Sequence, residues 1–421
     1  LAVLAGAAFA ADDPPKDKDK DKEPDAKELA ALIDKLGDDD IDKRKDAEKG
    51  ILEIGEPALP ALRKAAAEHA DADVKLRAIV LQQKIKKGLY GELRKFVGHA
   101  GDGDSSGIRG IAVTSDGKRA ITAGTDQKLI VWDLDAGKQV REITGHEGWC
   151  WEVAISKDDK ECLSSGTLDG TMRLWDIGTG KELKKYKGHA SRVYGVAFSP
   201  DGKHVASGGA DKETTIRIFD RASGDEVRKL EGHTGYVWRI AYSPDGKKLA
   251  SIGLNDRSLR VWDAETGKAL FVKKQKEEKD EKDPKETKEQ QEAREAREAK
   301  EAKDAHDGYV VSLSWSPDGK RILTGGRDPM VKLWDAEKGE LIRSYPAAGG
   351  DPEAIAFSPD GKRFLASADR VVNVFDTATG KIVHRFEDHT ETVFAVAWTP
   401  DGRKALSAGR DKTLRLWGVP R

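Results

Sequence analysis

The sequence predicts an all-β protein, a seven-bladed β-propeller, with a small N-terminal α-helical domain. Three observations predict it. An aromatic residue followed by Asp recurs at Trp132-Asp133, Trp175-Asp176, Phe219-Asp220, Trp262-Asp263, Trp334-Asp335 and Phe375-Asp376, and a seventh unit ends at Trp417-Gly418. The spacings are 43, 44, 43, 72, 41 and 42 residues, a period of about 40–45 with one insertion of about 30, and such a period fits one four-stranded blade. Ahead of the repeats, residues 25–90 carry apolar positions at helical rather than strand spacing.

Each unit is built from the same parts. It opens on Gly-His or a variant (Gly98-His99, Gly145-His146, Gly188-His189, Gly232-His233, Ala305-His306, Asp388-His389). A short apolar strand follows, such as Val193-Tyr194-Gly195-Val196-Ala197-Phe198. Ser-Pro-Asp-Gly then marks a tight turn at 199–202, 243–246, 316–319 and 358–361, with Thr399 replacing Ser in the last unit. Two more strands lead to Trp-Asp, and Gly-Lys turns the chain into a fourth. Both strand faces are apolar, as sheets packed between two neighbours require. These motifs resemble the WD-repeat β-propeller family over about 300 residues, and the resemblance implies seven blades. The chain reaches Trp417 without a fourth strand for the last blade. Gly91-Glu92-Leu93-Arg94-Lys95-Phe96-Val97 reads as that strand and is expected to close the ring, which would remove exposed edges.

The helical segment carries Leu29, Leu32, Ile33 and Leu36 at i, i+3, i+4 and i+7, with Gly37 as a stop. A second helix follows Asp39-Asp40 and carries Ala47, Ile51 and Leu52. Pro57 sits in a first turn before Leu59 and Leu62. Val74, Leu76, Ile79, Val80 and Ile85 form a fourth apolar set, ended by Gly88. The order Ile54-Gly55-Glu56-Pro57-Ala58-Leu59-Pro60, then Asp73-Val74-Lys75-Leu76-Arg77-Ala78, resembles a HEAT-like repeat. With fewer than two repeats, the segment is expected to dock on its neighbour or a partner. Residues 1–10, LAVLAGAAFA, read as a truncated secretory signal with an A-x-A site, followed by a charged linker at 11–24. That implies an exported protein, periplasmic or extracellular; the alternative is a cytoplasmic one.

Composition narrows the function. Lys plus Arg is 73 against 75 for Asp plus Glu, a net charge of −2, whereas phosphate-binding surfaces carry a basic excess, so no nucleic-acid partner is expected. Two cysteines exclude a disulfide scaffold. Taken on the strands of the second unit, Cys150 faces Thr167 and Cys162 faces Ile155. That spacing, roughly 16 Å at the usual strand rise, predicts two free buried thiols. No apolar run reaches the ~18 residues of a transmembrane span. The insertion 273–303 holds 11 basic and 11 acidic residues. Its i,i+4 pairs suit a solvated helix, either a flexible loop or an arm that contacts a partner.

The units contain sets that mimic a Ser-His-Asp triad: His146/Asp169/Ser165, His189/Asp211/Ser207, His233/Asp256/Ser251, His306/Asp328/Thr324 and His389/Asp411/Ser407. A triad is needed once. Sets that recur beside Trp175, Trp262, Trp334 and Trp417 read instead as hydrogen-bond networks that satisfy buried polar groups. The sixth unit has no such His, and Phe219 and Phe375 cannot donate as Trp does, so those units should have weaker networks. His69, His204 and His384 are scattered, and no Cys-x-x-Cys or His-Glu-x-x-His occurs. Gly101-Asp102-Gly103-Asp104 lacks the downstream Glu of a calcium loop. No catalytic residue, metal or cofactor is expected.

What remains is the rim that, by the family resemblance, lies on the top face at the mouth of the central channel and commonly binds peptides. Trp149, Arg192, Tyr236, Tyr309 and Thr392 stand three residues after each His; Trp151, Tyr194, Trp238, Val311 and Phe394 stand five after. Arg327 and Arg410 add positive charge there, while Gly107/Arg109 and Asp351/Glu353 face them from the other side. Aromatic residues and Arg are the types enriched in binding hot spots. The expected function is a non-catalytic, monomeric scaffold binding a protein or peptide. The rival is a channel that binds a small ligand or supports hydrolysis.

Overall fold

The computed structural model describes residues 25–101, 106–211, 213–273, 287 and 304–420. The expectations for residues 1–24 and, save Gly101, Lys273 and Thr287, for 101–104 and 273–303 lie outside the described residues. The chain divides between Leu89 and Tyr90 into two compact units.

The first unit holds four α-helices, α1 (Ala26–Asp34), α2 (Ile41–Ile54), α3 (Leu59–Glu68) and α4 (Ala72–Leu89). Asp25 and Asp40 cap α1 and α2, each carboxylate accepting a backbone N–H two residues on at 2.9 Å. Leu29, Ile33 and Leu36 are buried, and so are Ile51 and Leu62, as the spacing predicts. The apolar set on α4 needs correcting. Leu76, Ile79 and Val80 are exposed, and the buried stripe is Val74, Ala78, Leu81 and Ile85, which recurs at helical period. Leu52 is likewise exposed. Gly88 does not end α4, which runs to Leu89.

The second unit is all-β. Seven four-stranded antiparallel sheets follow one another. Their strands span 108–144 (blade 1), 150–186 (blade 2), 193–230 (blade 3), 237–273 (blade 4), 310–346 (blade 5), 355–386 (blade 6) and 393–418 (blade 7). Blade 7 takes its fourth strand from Glu92–Val97, which pairs antiparallel with Thr413–Gly418: Phe96 stands opposite Leu414 and Val97 opposite Thr413. Glu92 forms an ion pair with Arg415 across this seam.

Cores lie between blades rather than within them. Trp175 of blade 2 packs with Ile121 and Val131 of blade 1, and Trp262 of blade 4 packs with Ile216 and Ile218 of blade 3. At the seam, Trp132 of blade 1 packs with Phe96, Leu414 and Leu416. The Trp-Asp residues therefore bind each blade to the one before it. In the Ser-Pro-Asp-Gly turns the Ser hydroxyl donates to the Asp carboxylate, as from Ser199 to Asp201 at 2.6 Å. Blade 2 has Asp159 in place of the turn glycine, at φ 57°. The Asp159 carboxylate accepts the Ser115 N–H of blade 1 at 2.9 Å, a contact specific to this position.

Cys150 and Cys162 are free and buried, and burial pushes both thiols up. Cys162 pairs with Ile155 as the strand reading has it, but Cys150 stands opposite Gly166, not Thr167. A bulge between Cys150 and Val153 shifts the register by one residue.

Phe96 is buried and meets the Trp132 ring edge-on at 5.6 Å between centroids. Phe96→Ala should therefore cost about 3–5 kcal/mol of stability, whereas Val97→Ala, at a position 69% exposed, should cost under about 0.5 kcal/mol. Urea denaturation of both variants reads this. Equal effects would mean the strand does not close the core.

Candidate functional site

The repeated polar sets sit at the end of each blade that carries the Gly-His loop. In blade 4, Trp262 Nε1 donates to Ser251 Oγ at 2.8 Å, Ser251 Oγ lies 2.7 Å from His233 Nε2, and His233 Nδ1 lies 2.7 Å from Asp256. A neutral imidazole satisfies every member: the indole N–H donates to the hydroxyl, the hydroxyl to Nε2, and Nδ1–H to the carboxylate. The same chain joins Trp334, Thr324, His306 and Asp328 in blade 5, and Trp417, Ser407, His389 and Asp411 in blade 7. Blade 1 has it too, through Trp132, Thr122, His99 and Asp126. Burial disfavours the charge on Asp411, but hydrogen bonds from His389 and Thr413 outweigh it and hold the carboxyl down to about 2. Asp169, Asp256, Asp126 and Asp328 are held low by the same balance. The hydroxyls are fully buried and already bonded on two sides, so they resemble a triad in composition and not in access.

Two blades, 2 and 3, depart from the sequence reading, and blade 6 follows it in having no relay. In blade 2 the hydroxyl is Ser164, not Ser165: it lies 2.6 Å from His146 Nε2 and accepts from Trp175 at 2.8 Å. Adjacent strand residues point to opposite faces, so Ser165 instead donates to the Tyr194 carbonyl of blade 3 at 2.7 Å. The signal was available as spacing, because the hydroxyl lies 18 residues after the His in blades 2, 3, 4, 5 and 7. In blade 3, Asp211 is not the partner of His189. The turn is one residue longer than in blade 2, with Gly209 N bonding Thr215 O where Gly166 N bonds Thr171 O. Asp211 turns away to accept from Ser191 and to pair with Arg192 at 3.6 Å. Glu213 takes over the backbone contact, accepting Ala190 N–H at 3.1 Å, and pairs with Arg217. His189 still meets Ser207 at 2.9 Å, but its buried Nδ1 has no partner among the described residues. In blade 6, Phe375 stacks on Phe364 at 4.8 Å, and the buried Asn373 donates to Ala347 O at 2.9 Å.

The rim residues separate into a buried base and an exposed edge. Trp151 meets Tyr194 at 5.1 Å and Trp238 at 4.9 Å, and Tyr194 meets Trp238 at 4.7 Å. Trp151 and Tyr194 are buried and Trp238 is half-buried, so these positions are mainly packing. On this base stand Trp149, stacked on Trp151 at 6.3 Å, and Tyr236, stacked on Tyr194 at 6.2 Å. Trp149 is 39% exposed and Tyr309 is 37% exposed. Arg192 and Arg327 are exposed, and Arg410 is half-buried. The sequence places Arg109 on the opposite side of the rim from the aromatic positions. Its guanidinium in fact lies over the Trp151 ring at 4.7 Å and over Phe394 at 3.7 Å, joining blades 1, 2 and 7.

Sequence reasoning also missed what lies behind this cluster. Glu152 of blade 2 accepts from Arg239 of blade 4 at 2.7 Å and from Val196 N–H of blade 3 at 3.0 Å. Burial raises the Glu152 pKa despite Arg239. Gly195 permits this approach, since a Cβ there would come within 2.9 Å of Ile240 N. The remaining channel cavity is about 170 Å³, lined by Gly110, Glu152, Arg239, Ser312, Glu353 and Ala395 among others. Among the described residues, no group of three or more His, Cys, Asp or Glu side chains could hold a metal. No helix among them is long and apolar enough to cross a membrane.

The family model described as WD domain, G-beta repeat matches this chain seven times, at 91–133, 137–176, 180–220, 224–263, 300–335, 339–376 and 380–418. The chain belongs to the WD-repeat family. Matched relatives include the WD repeat-containing protein 26 homolog of Arabidopsis thaliana, 32% identical over 57 residues, which are 14% of this chain and 10% of that protein. Eukaryotic translation initiation factor 3 subunit I of Candida albicans is 37% identical over 65 residues, 15% of this chain and 18% of that protein. The human U5 small nuclear ribonucleoprotein 40 kDa protein is 36% identical over 58 residues, 14% of this chain and 16% of that protein. The matches thus span under a fifth of each relative.

The incomplete blade 3 relay gives this WD-repeat propeller a pH signature. Burial brings the His189 pKa from 6.5 down to about 4. The unfolded chain therefore binds more protons than the folded one between these values, so stability is full above pH 6.5 and falls as pH drops towards 4. The depressed network carboxylates act lower, below their ordinary 3.8. His189→Gln should reduce the loss of urea-denaturation stability between pH 6.5 and 4, leaving the smaller part due to His384, which burial also lowers, and leave the loss below pH 4 in place. An unchanged slope would show that His189 does not titrate in that window.

Proposed function

We propose that this WD-repeat chain is a non-catalytic module that binds a protein or peptide across the channel mouth on its Gly-His face. The observation that carries the proposal is the pair Trp149 and Tyr236, each stacked on a buried aromatic partner and each presented at the rim. Aromatics held this way lose little entropy on binding, which is what hot-spot residues require. Tyr309 and Arg192 extend the edge on blades 5 and 3, and Arg327 and Arg410 supply donors. The matched relatives' names describe a translation-factor subunit and a ribonucleoprotein component, which suits an assembly role. The helical unit offers a second contact surface through its exposed Leu76, Ile79 and Val80.

Export is part of this proposal and rests on residues 1–10. Intact-mass spectrometry of the protein from its native host should find Ala11 as the first residue; an uncleaved chain in the cytosolic fraction would contradict it. For the face, Trp149→Ala combined with Tyr236→Ala should weaken capture of the native partner by more than about 30-fold, or ~2 kcal/mol. Stability in urea should fall by no more than about 1.5 kcal/mol per site, the scale of one aromatic pair. Full partner capture by a folded double variant would overturn the proposed face, and an unfolded one would make these residues core.

A further inference from the structure

We infer that Asp211 is a positioning residue of this face: the longer turn of blade 3 takes it out of the buried relay and sets it at the rim, where it holds Tyr236 of blade 4 and Arg192 of blade 3 for the partner. The inference rests on the peptide-binding reading above and adds the side chain that orients one of its two aromatic anchors.

The placement costs blade 3 a bond. In blades 1, 2, 4, 5 and 7 a carboxylate stands 2.7–2.9 Å from Nδ1 of the relay histidine. In blade 3 the buried Nδ1 of His189 has no such partner among the described residues, and a buried polar group left unpaired is destabilising. Glu213 accepts the Ala190 N–H and pairs with Arg217 instead. The backbone differs as well. In the five complete blades a residue of positive φ follows the carboxylate, at Gln127, Gly170, Arg257, Pro329 and Lys412; in blade 3 the positive φ, 57°, falls on Asp211 itself. A local rule broken without a gain inside the blade points to a role at its surface.

The displaced carboxylate serves three donors on two blades. Ser191 Oγ donates to it at 2.5 Å, and Arg192 Nε lies 3.6 Å from it. The Tyr236 hydroxyl also donates to it, which raises the phenol above its ordinary range. The Ser191 and Tyr236 bonds hold the Asp211 carboxyl below its ordinary range. The Tyr236 ring stacks on Tyr194 at 6.2 Å, and Arg192 reaches the Tyr194 hydroxyl at 3.4 Å. Tyr236 is therefore held at both its ring and its hydroxyl. A side chain fixed before binding has less rotamer freedom to lose when the partner arrives.

The probes are random dodecapeptides displayed on phage, chosen for binding the full chain and for not binding the Trp149→Ala, Tyr236→Ala variant. Their affinities are read by fluorescence anisotropy. Asp211→Gly removes the carboxylate and accepts positive φ freely. Asp211→Asn tolerates that φ and keeps one oxygen for the Tyr236 hydroxyl. The Gly variant should bind the peptides about tenfold more weakly and the Asn variant only about threefold. Tyr236→Phe combined with Asp211→Gly should lose about as much as Asp211→Gly alone, because both act through one bond. With fluorotyrosine at position 236 and no peptide present, the fluorine NMR signal should titrate at lower pH in Asp211→Gly than in the parent. If the Gly variant does not fold, Asp211→Asn carries the same comparisons. Full peptide binding without the carboxylate, additive losses or an unchanged fluorine titration overturns the inference and leaves the face standing. If no peptide meets both selection conditions, the face itself fails and the inference falls with it.

Discussion

The propeller depends on one pairing, that of Glu92–Val97 with Thr413–Gly418. Seven sheets around an axis leave an open edge on the last blade unless a strand from the far end of the chain supplies it. The pairing removes that edge and joins the two ends of the ring. It also sets the channel mouth. Blade 1 is drawn against blade 7 so closely that a Cβ on Gly107, at φ 136°, would lie 2.7 Å from the Arg410 Cα. The next inner-strand residues then place Arg109 over Phe394 of blade 7 as well as over Trp151 of blade 2. The position of Arg109 at the mouth is thus a product of closure, not of any single blade.

Within that ring, the buried relays and the exposed edge divide the polar residues by role. The Trp–hydroxyl–His–Asp chains consume their donors and acceptors internally and fix the loops that carry the rim residues. The rim aromatics stand directly after those loops, Trp149 three residues beyond His146 and Tyr236 three beyond His233. A rigid base under an exposed edge favours recognition of a partner surface. The channel behind it is braced by Glu152 and Arg239, which leaves a small polar cavity rather than an open ligand pocket.

Most of the fold was legible because the repeat states it seven times, and the closing strand could be read from the missing fourth strand of the last unit. What was misread follows from local geometry that periodicity does not carry. The bulge after Cys150 moves the register by one, so Gly166 and not Thr167 stands opposite. Ser164 and Ser165 are both hydroxyls, and only the constant 18-residue distance from the His selects the inward one. The longer turn of blade 3 substitutes Glu213 for Asp211. On α4, apolar content misled because Ala78 supplies the buried position and the larger Leu76, Ile79 and Val80 face out. The mouth was half legible. The aromatic positions follow from their offset to the His, but Arg109, Arg239 and Glu152 meet only when blades far apart in sequence are brought round the axis.

The central claim is that the partner sits on the Gly-His face, over the aromatic and arginine mouth. Site-specific photo-crosslinking tests it most directly, with a benzophenone side chain placed at Trp149 on that face or at Ser115 in the turn at the opposite end of blade 1. In the native extract, the probe at 149 should give a partner adduct and the probe at 115 should give none. An adduct formed equally well, or only, from position 115 would contradict the account.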